Sequence, residues 1–238
     1  MSIIKKSLDK LRFFLLRSSM NFCMGNYRKS YSQEGEDLIL KRLFEKKPHG
    51  FFVDVGAHHP KRFSNTYLLY KKGWTGINID PMPGSMKCFN SVRKKDINLE
   101  FGVGLKEEIL DYYVFNDPAL NGFSSEISEK RSNDNSIFKI EKKIQVNTYR
   151  LSTILDTYLP KNQVIDLLTI DVEGMDLEVL KSNDWDAYKP RYIIIEILSL
   201  NFSHIKEDEI YDFLTDHNYV IFAKTVNSVI FKKSHSSE

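Results

Sequence analysis

Four segments that read as strands each carry an acidic residue at or next to their last position. The acids are Asp54 in FFVDV, Asp80 in TGINID, Asp171 in LLTID and Glu196 in RYIIIEI, and Glu173 follows Asp171 by two positions. Carboxylates accept hydrogen bonds from hydroxyl groups, take up protons and bind hard cations. The carboxyl ends of parallel strands meet at one edge of a sheet, so we expect these side chains to share one cleft.

The turn after the first of these strands lacks the glycines of a dinucleotide site. In GFFVDVGAHHPKRFSNT, His58 and His59 stand where a G-x-G-x-x-G turn would continue. A pyrophosphate requires bare backbone N–H groups at a helix start, so a nucleoside without phosphates fits this turn better than a dinucleotide. Gly56 would let such a ligand approach the backbone.

Asp80 closes the second strand and is placed to accept hydrogen bonds from both hydroxyls of a ribose. An ordinary turn-forming Asp before Pro81 is the alternative. The single Gly56 and an acidic tip on the second strand together predict S-adenosylmethionine as the cofactor.

Asp171, Glu173 and His58 are the candidate catalytic residues. A hydroxyl that accepts a methyl group needs a base or a metal to remove its proton. Asp171 and Glu173 can both face the cleft, where one positions the hydroxyl and the other acts as base, or the pair holds a divalent metal ion. The alternative is that they cap the following helix. His58 can act as a base near neutrality or can fix the loop, and we expect only one of His58 and His59 to face the cleft.

Acceptor contacts are predicted at residues around the same cleft. Glu196 needs a partner, which is either a substrate hydroxyl or an arginine such as Arg191 or Arg150. Trp74 is assigned to the core. The other predicted acceptor contacts, for which helix capping or a loop position is the alternative, are Asn65, Thr66, Asn121, Ser124 and Ser125.

Strands alternate with short helices along the chain, which predicts parallel βαβ units. We expect one α/β domain over residues 31–238, with a doubly wound, seven-stranded Rossmann-like sheet and a C-terminal antiparallel hairpin formed by YVIFAK and SVIFKK. Residues 116–143 are polar and irregular, so they are expected to form a long loop that is either functional or disordered.

The net charge of +2 and the absence of an Asn-Pro-Pro-Tyr motif give no general case for a nucleic-acid partner, and a basic surface is expected only at the N-terminus. With two cysteines and no CxxC pair, the chain suits a reducing cytoplasm. Residues 1–30 form a basic segment with apolar residues at helical spacing. It is expected either to dock on the domain or fray, or to lie on the inner, anionic face of a membrane through residues 3–29.

Several motifs together resemble the FkbM family of S-adenosylmethionine-dependent methyltransferases. They are SQEGEDLIL, FFVDVGAHHP, SNTYLLYKKGWTGINIDP, and LLTIDVEGMDLEVL followed by PRYIIIEI, and the resemblance runs from about Tyr31 to Phe231. It implies the seven-stranded methyltransferase sheet and O-methylation of a sugar or polyketide hydroxyl. It places Asp54, Gly56, Ala57 and Asp80 around the cofactor, Asp171, Glu173 and Gly174 in the D-x-E-G block, and Ser32, Gln33 and Asp37 over the cofactor or acceptor.

The predicted function is therefore transfer of a methyl group to a hydroxyl of a sugar, nucleotide-sugar or glycan, in surface-polysaccharide or natural-product synthesis. A nicotinamide-dependent oxidoreductase is the first alternative, although His58 and His59 do not form a pyrophosphate turn. A non-catalytic carbohydrate-binding protein is the second, and the four acidic strand ends argue against it because unpaired carboxylates around an empty cleft would be costly.

Overall fold

In the computed structural model the chain divides into two compact units, residues 1–30 and 31–238. The structure describes residues 28–134, 137–197 and 208–234. The helical pattern predicted for residues 3–29 therefore lies almost entirely outside the described residues. Within the described ranges no helix has the length and apolar character needed to cross a membrane.

The main sheet of the larger unit has seven strands in the order β3-β2-β1-β7-β8-β10-β9. The first five of these strands are parallel, and β10 pairs antiparallel with both β8 and β9. This confirms the predicted doubly wound sheet with its antiparallel C-terminal hairpin. Its strands are β1 (Phe51–Val55), β2 (Thr75–Ile79), β3 (Ile97–Leu99), β7 (Leu167–Ile170), β8 (Tyr192–Glu196), β9 (Tyr219–Lys224) and β10 (Ser228–Lys233).

A second sheet of three strands, β4 (Gly102–Val103), β6 (Ile140–Tyr149) and β5 (Glu108–Phe115), was not predicted. The segment INLEFGVG at residues 97–104 is split between β3 and β4, because the chain crosses there from one sheet to the other. The expected loop 116–143 contains the 3-10 turn Pro118–Leu120 and the helix α4 (Ser125–Asp134), and its last residues already belong to β6.

Helices cover both faces of the main sheet. Successive side chains of a strand point to opposite faces, so each face needs a covering layer if all of them are to be buried. Helices α1 (Glu36–Leu43) and α2 (Tyr67–Lys71) pack with Trp74 against the face that carries Phe52. Helix α3 (Met86–Val92) lies on the same side, because Arg93 at its end covers the Phe52 ring at 5.4 Å. The opposite face packs against α5 (Leu151–Tyr158), α6 (Asp176–Lys181) and α7 (Glu209–Asp216). Trp74 is 1% exposed, which confirms its place in the core.

The two edges of the main sheet carry opposite charge. Acidic residues lie within one position of the ends of β1, β2, β7 and β8 at the carboxyl edge, whereas a lysine pair precedes each of β1, β2 and β3 at residues 46–47, 71–72 and 94–95. The expectation that a basic surface occurs only at the N-terminus was therefore wrong. The three pairs are far apart in sequence, and only the parallel sheet brings them to one edge. We call this surface the amino edge.

Candidate active site

A cleft opens at the carboxyl edge of the sheet, where the chain leaves β1, β2 and β7. It encloses about 650 Å³ with its open mouth included. Five of the predicted site residues in the turns after these strands line it: Gly56, His58, Asp80, Asp171 and Glu173. The other lining residues are Gln33, Val55, Phe63, Ile79, Pro81, Phe101, Val103, Tyr112, Pro118, Ala119, Asn121, Phe123 and Val172.

The turn after β1 has no backbone N–H group free to hold a phosphate. The amides of Gly56 and Ala57 both donate to the Ile79 carbonyl at 3.0 Å, and the His59 amide donates to the Ala57 carbonyl. The His58 amide donates to Asp80 Oδ2 at 2.9 Å. A pyrophosphate would have to displace these hydrogen bonds, so the geometry disfavours a dinucleotide at this turn.

Gly56 is required here by the protein itself. Its φ is +81°, and a Cβ at this position would lie 1.8 Å from the backbone oxygen of Asp171. The sequence had attributed this glycine to close approach of a ligand. The structure instead attributes it to close approach of the chain leaving β7, although Gly56 still lines the cleft.

Asp80 is fixed at the end of β2 with both oxygens turned toward backbone amides. Oδ2 accepts from His58 and Oδ1 accepts from the Met82 amide, each at 2.9 Å. A carboxylate has about four acceptor sites, so Asp80 keeps acceptor capacity for a ribose hydroxyl. Burial raises the pKa of Asp80, and the Met82 amide, the Ser85 hydroxyl and the His58 amide oppose that shift.

The cleft beyond Asp80 has a mostly apolar wall, which the short second sheet supplies. Phe101 lies just before β4, Val103 lies in β4, and Tyr112 in β5 packs against Phe123 with ring centroids 4.8 Å apart. A flat, apolar surface beside a ribose-binding carboxylate suits a purine base. Sequence reasoning missed this wall because its residues read as ordinary apolar strand positions.

His58 faces the cleft and His59 does not. His59 Nδ1 accepts hydrogen bonds from the backbone amides of Lys61 and Arg62, at 3.0 and 2.9 Å, and so fixes the loop. His58 lines the cleft mouth with its ring stacked at 6.3 Å on Phe63. Burial, then Arg62 and then His59, lower the pKa of His58, so its ring is neutral near pH 7.

Asp171 and Glu196 lie side by side at the ends of β7 and β8. Ile170 and Ile195 are partners in the parallel register, which makes Asp171 and Glu196 the next pair. Burial raises the pKa of Asp171 well above its ordinary value, and the Glu196 carboxyl beside it adds to the shift. Burial, followed by Glu173 and Asp176, raises the pKa of Glu196 to about 7.

Neither carboxyl of this pair forms an ion pair within the part of the chain that the structure describes, and Arg131 is the one cation that lowers the pKa of Glu196. Arg191 is 3.5 Å from Asp166, and Arg150 donates to the Leu105 carbonyl, so neither is the predicted partner of Glu196. Glu196 lines a neighbouring cavity between β8, α6 and α7 rather than the cleft itself.

Glu173 is held by an arginine. Arg131 of α4 contacts Glu173 Oε2 at 2.8 Å, and Glu173 has a left-handed φ of +55°. Burial raises the pKa of Glu173 and the Arg131 guanidinium opposes this. The ion pair ties the segment after β5 to the D-x-E-G block, and a carboxylate engaged in this way is a weaker candidate for the base than Asp171.

Asp54 lies beneath the cleft and does not line it. It is 6% exposed, and its Oδ2 accepts a hydrogen bond from Thr66 Oγ1 at 2.7 Å. Arg93, fully buried, donates to the same Thr66 oxygen and to Asn78 Oδ1. The sequence did not single out Arg93, because it stands in the run RKK, which reads as an exposed basic turn.

Other predicted site residues are used for local structure. Asn65 donates to Thr169 Oγ1 at 3.2 Å, and Ser124 Oγ accepts from the Ile127 amide at the start of α4. Ala57 packs against Met86 and Phe89. The Ser32 hydroxyl, which lies just before α1 begins, donates to Asp37 Oδ1. Asp37 is buried, so of the predicted opening block only Gln33 reaches the cleft.

Asn121 both lines the cleft and supports it. Its Oδ1 accepts from the Phe115 amide at 2.8 Å, and it bonds the buried Tyr112 hydroxyl. A contact with the acceptor stays a prediction for Asn121, as do the ligand-binding roles of the other residues named here.

The arrangement of possible metal ligands does not support the metal ion considered for Asp171 and Glu173. Among residues 28–134, 137–197 and 208–234, no three His, Cys, Asp or Glu side chains converge in a way that could hold a metal ion. Glu173 is directed to Arg131 instead.

Three solved methyltransferase structures are similar in fold, at low identity. A proposed RNA methyltransferase from Pyrococcus horikoshii is 11% identical, with a TM-score of 0.43 and coverage of 88% of this chain and 91% of that one. A TehB-like S-adenosylmethionine-dependent methyltransferase from Corynebacterium glutamicum is 10% identical, with a TM-score of 0.39 and coverage of 94% and 97%. The small RNA methyltransferase HEN1 is 13% identical, with a TM-score of 0.38. The matched region covers 90% of this chain and 28% of the HEN1 chain.

No curated protein sequence matches the chain. The family is identified by comparing the chain with models of protein domain families. The model of the methyltransferase FkbM domain matches residues 54–221, well over half of the chain, from the end of β1 into β9. The matched region contains Asp80, Asp171, Glu173 and Glu196, and the chain belongs to the FkbM methyltransferase family.

Proposed function

We propose that this protein is an S-adenosylmethionine-dependent O-methyltransferase that methylates a hydroxyl of a sugar or glycan. The observation that carries the proposal is the Asp171 carboxyl, which lines the cleft, lies beside Glu196 and has no ion pair or hydrogen bond to its side chain within the described residues. Such a group is available to take a proton from a neutral hydroxyl.

The cleft residues fit S-adenosylmethionine. Asp80 keeps free acceptor sites for a ribose, and Ile79, Phe101 and Val103 form an apolar wall beside it. When bound, this cofactor supplies an electrophilic methyl group. The protein contributes the position of the acceptor and the removal of its proton.

Asp171 is the proposed general base. The raised pKa of this carboxyl brings it closer to neutrality, where a base is most effective in taking a proton from a weak acid. With the cofactor bound, Asp171 would take the proton of the acceptor hydroxyl, and the neighbouring Glu196 carboxyl would share that proton until water removes it. His58, neutral at the cleft mouth, is placed to orient the acceptor or to serve as the base in place of Asp171.

The mouth of the cleft accounts for the proposed acceptor class. Phe63 is 39% exposed next to His58, and the Arg62 guanidinium lies 4.3 Å from its ring centroid, so the ring edge is the part open to an acceptor. Gln33 and Asn121 add amide groups able to bond hydroxyls. An aromatic edge with polar groups around it fits a sugar ring, which has an apolar face and a hydroxylated rim.

Titration calorimetry with S-adenosylmethionine, and separately with NAD, tests the cofactor. We expect binding of S-adenosylmethionine alone, weakened about 100-fold in Asp80→Ala because two hydrogen bonds to a charged group are lost. The matched control is Asp111→Asn, on the exposed side of β5, which should bind as the wild type does. Binding of NAD in place of S-adenosylmethionine would overturn the proposal.

The acceptor is tested by transfer of a radiolabelled methyl group from S-adenosylmethionine to three sets of acceptors: nucleotide sugars, glycans and RNA. The proposal expects label in the first two sets, released on cleavage of the methyl ether. Label on RNA alone would retain the methyltransferase and reject the sugar acceptor.

A further inference from the structure

The amino edge has a surplus of positive charge that methyl transfer does not use. The segments EKKPHG, YKKGWT and RKKDIN place a lysine pair before each of β1, β2 and β3, with one to three residues between the pair and the strand. These three strands are adjacent in the order β3-β2-β1, so the pairs stand in a row at one edge of the sheet.

Three of the six lysines have side-chain partners, and three do not. Lys71 donates to the Tyr31 hydroxyl at 3.3 Å. Lys47 pairs with Asp166, and Lys72 donates to the Phe44 carbonyl at 3.3 Å. Lys46, Lys94 and Lys95 are exposed and make no ion pair or side-chain hydrogen bond within the described part of the chain. Attraction to a helix dipole falls off within the last turn, so it accounts poorly for lysines that lie beyond the ends of α1 and α3.

The acids of the same region do not neutralise this charge at the surface. Residues 31–95 contain twelve Lys and Arg and six Asp and Glu. Glu34 accepts from the Asn227 amide, and Glu45 pairs with Arg42. The remaining four acids are all buried: Glu36, Asp37, Asp54 and Asp80.

The row lies at the opposite edge of the sheet from the cleft. β1 has five residues and separates Lys46 and Lys47 from the turn at Gly56. At about 3.3 Å per residue, the two edges are roughly 17 Å apart. An anionic partner seated on these lysines would therefore leave the cleft mouth open, which is the arrangement expected of a docking surface and not of an acceptor site.

We propose that the amino edge docks this protein on an anionic lipid bilayer. The basic row complements the negative surface potential of such a bilayer, where each lysine near the surface contributes about a five-fold gain in binding. In sequence, residues 5–29 add seven Lys and Arg against Asp9 alone, with apolar residues at the helical spacing 4, 8, 11 and 15. A sequence of this composition fits an anionic bilayer better than a nucleic acid, because a nucleic acid makes no use of apolar residues at helical spacing. The proposal holds whichever acceptor is methylated.

Vesicle co-sedimentation of the full chain tests it. The vesicles are phosphatidylcholine with 30% phosphatidylglycerol, and phosphatidylcholine alone, at low and at physiological salt. The test variant is K46Q/K94Q/K95Q. The matched control is K106Q/K130Q/K142Q, which removes the same charge from exposed lysines outside the amino edge.

We expect the test variant to lose about 100-fold in partition onto the anionic vesicles, because three contributions of about five-fold are removed. The control should lose less than about three-fold, and added salt should weaken wild-type binding. Thermal melting and S-adenosylmethionine titration of both variants verify that the fold is intact.

Equal partition of wild type and test variant would overturn the proposal, as would equal binding to neutral and anionic vesicles. Fluorescence anisotropy with a labelled single-stranded RNA tests the alternative that the partner is a nucleic acid. RNA binding that depends on Lys46, Lys94 and Lys95, in a protein that ignores anionic vesicles, would overturn the bilayer in favour of a nucleic acid.

Discussion

The two edges of one sheet place charge in opposite surroundings. At the carboxyl edge Asp54 and Asp80 are each 6% exposed, and burial raises the pKa of both. At the amino edge Lys46, Lys94 and Lys95 stand in solvent. Retaining a buried charge costs folding free energy, whereas a solvated lysine costs little. The two edges therefore differ in the folding free energy that their charged groups require. Charges that are costly to bury are expected where a reaction needs them, and solvated charges that cost little are expected where a surface contacts a partner.

The largest expected effect is at the carboxyl edge, in Asp171→Asn. The amide keeps the shape of the side chain but cannot take a proton, so methyl transfer to the identified acceptor should fall by about 10²–10⁴-fold. Binding of S-adenosylmethionine should change by less than about three-fold, because Asp171 is not the proposed ribose ligand. Initial rates and calorimetry on the same preparation measure the two quantities.

Glu173→Gln is the matched variant for this experiment, since Glu173 lines the same cleft but is engaged by Arg131. A fall equal to that of Asp171→Asn would make Glu173 the better base. Full activity of Asp171→Asn, with activity lost in His58→Gln, would move the role to His58.

The second prediction concerns the support beneath the carboxyl edge. Arg93 is fully buried, lies 3.5 Å from Asp96 and contacts Thr66, which holds Asp54. Arg93→Met should lower the free energy of unfolding by about 3–5 kcal/mol at pH 7, because it leaves the two buried carboxyls without their cation.

Urea unfolding at pH 7 and pH 5 measures this loss. It should be smaller at pH 5, since burial raises the pKa of Asp54 and of Asp96 to about 6 and both then gain protons. The neighbouring Lys94→Met is the control and should change stability by less than about 0.5 kcal/mol. Equal losses at the two pH values would argue against the charge as the cause.

The sequence predicted the strands of the main sheet and the location of four acidic residues at its carboxyl edge. Both predictions were possible because the alternation of strands with helices, and an acid at the end of a strand, are local patterns. It could not separate Arg93 from Lys94 and Lys95, which are adjacent in one basic run. Only packing decides that Arg93 is covered by the Phe52, Tyr67 and Tyr70 rings. The basic row was missed for a related reason, since its members join only when β1, β2 and β3 pair.

The second sheet marks the other limit of sequence reasoning. Strands β5 and β6 pair across the segment 116–139, and the position of α4 over the D-x-E-G block depends on the contact of Arg131 with Glu173. Both are long-range pairings without a local signal. The apolar wall of the cleft, built on Phe101, Tyr112 and Phe123, follows from that pairing.

The third prediction is the pH dependence that Glu196 gives to stability. The pKa of this carboxyl is about 7 in the folded protein and has an ordinary value near 4.5 otherwise. The folded state therefore holds a proton that the unfolded state has released, and stability falls as pH rises from about 4.5 to 7. Glu196→Gln removes this cost and should stabilise the protein by about 1 kcal/mol at pH 8, a value limited by the solvent that reaches part of the carboxyl.

At pH 4.5 the same variant should differ little from the wild type, because Glu196 is then protonated in both states. Glu107→Gln, on an exposed loop, is the control and should show no gain at either pH. A gain that does not depend on pH would assign the effect to packing.

The smallest expected effect is at the amino edge, and it tests most directly whether the two edges act independently. K46Q/K94Q/K95Q should change the free energy of unfolding by less than about 0.5 kcal/mol, because exposed substitutions without a partner are nearly neutral. Its affinity for S-adenosylmethionine should stay within about two-fold of the wild type, because the roughly 17 Å between the edges exceeds the Debye length of about 8 Å at physiological salt. Urea unfolding and calorimetry at 0.15 M salt measure both. A loss of stability above 1 kcal/mol would show that these lysines have structural partners. A large loss of cofactor affinity would show that the charges at the two edges are coupled, so that the amino edge could no longer be treated as a surface for docking alone.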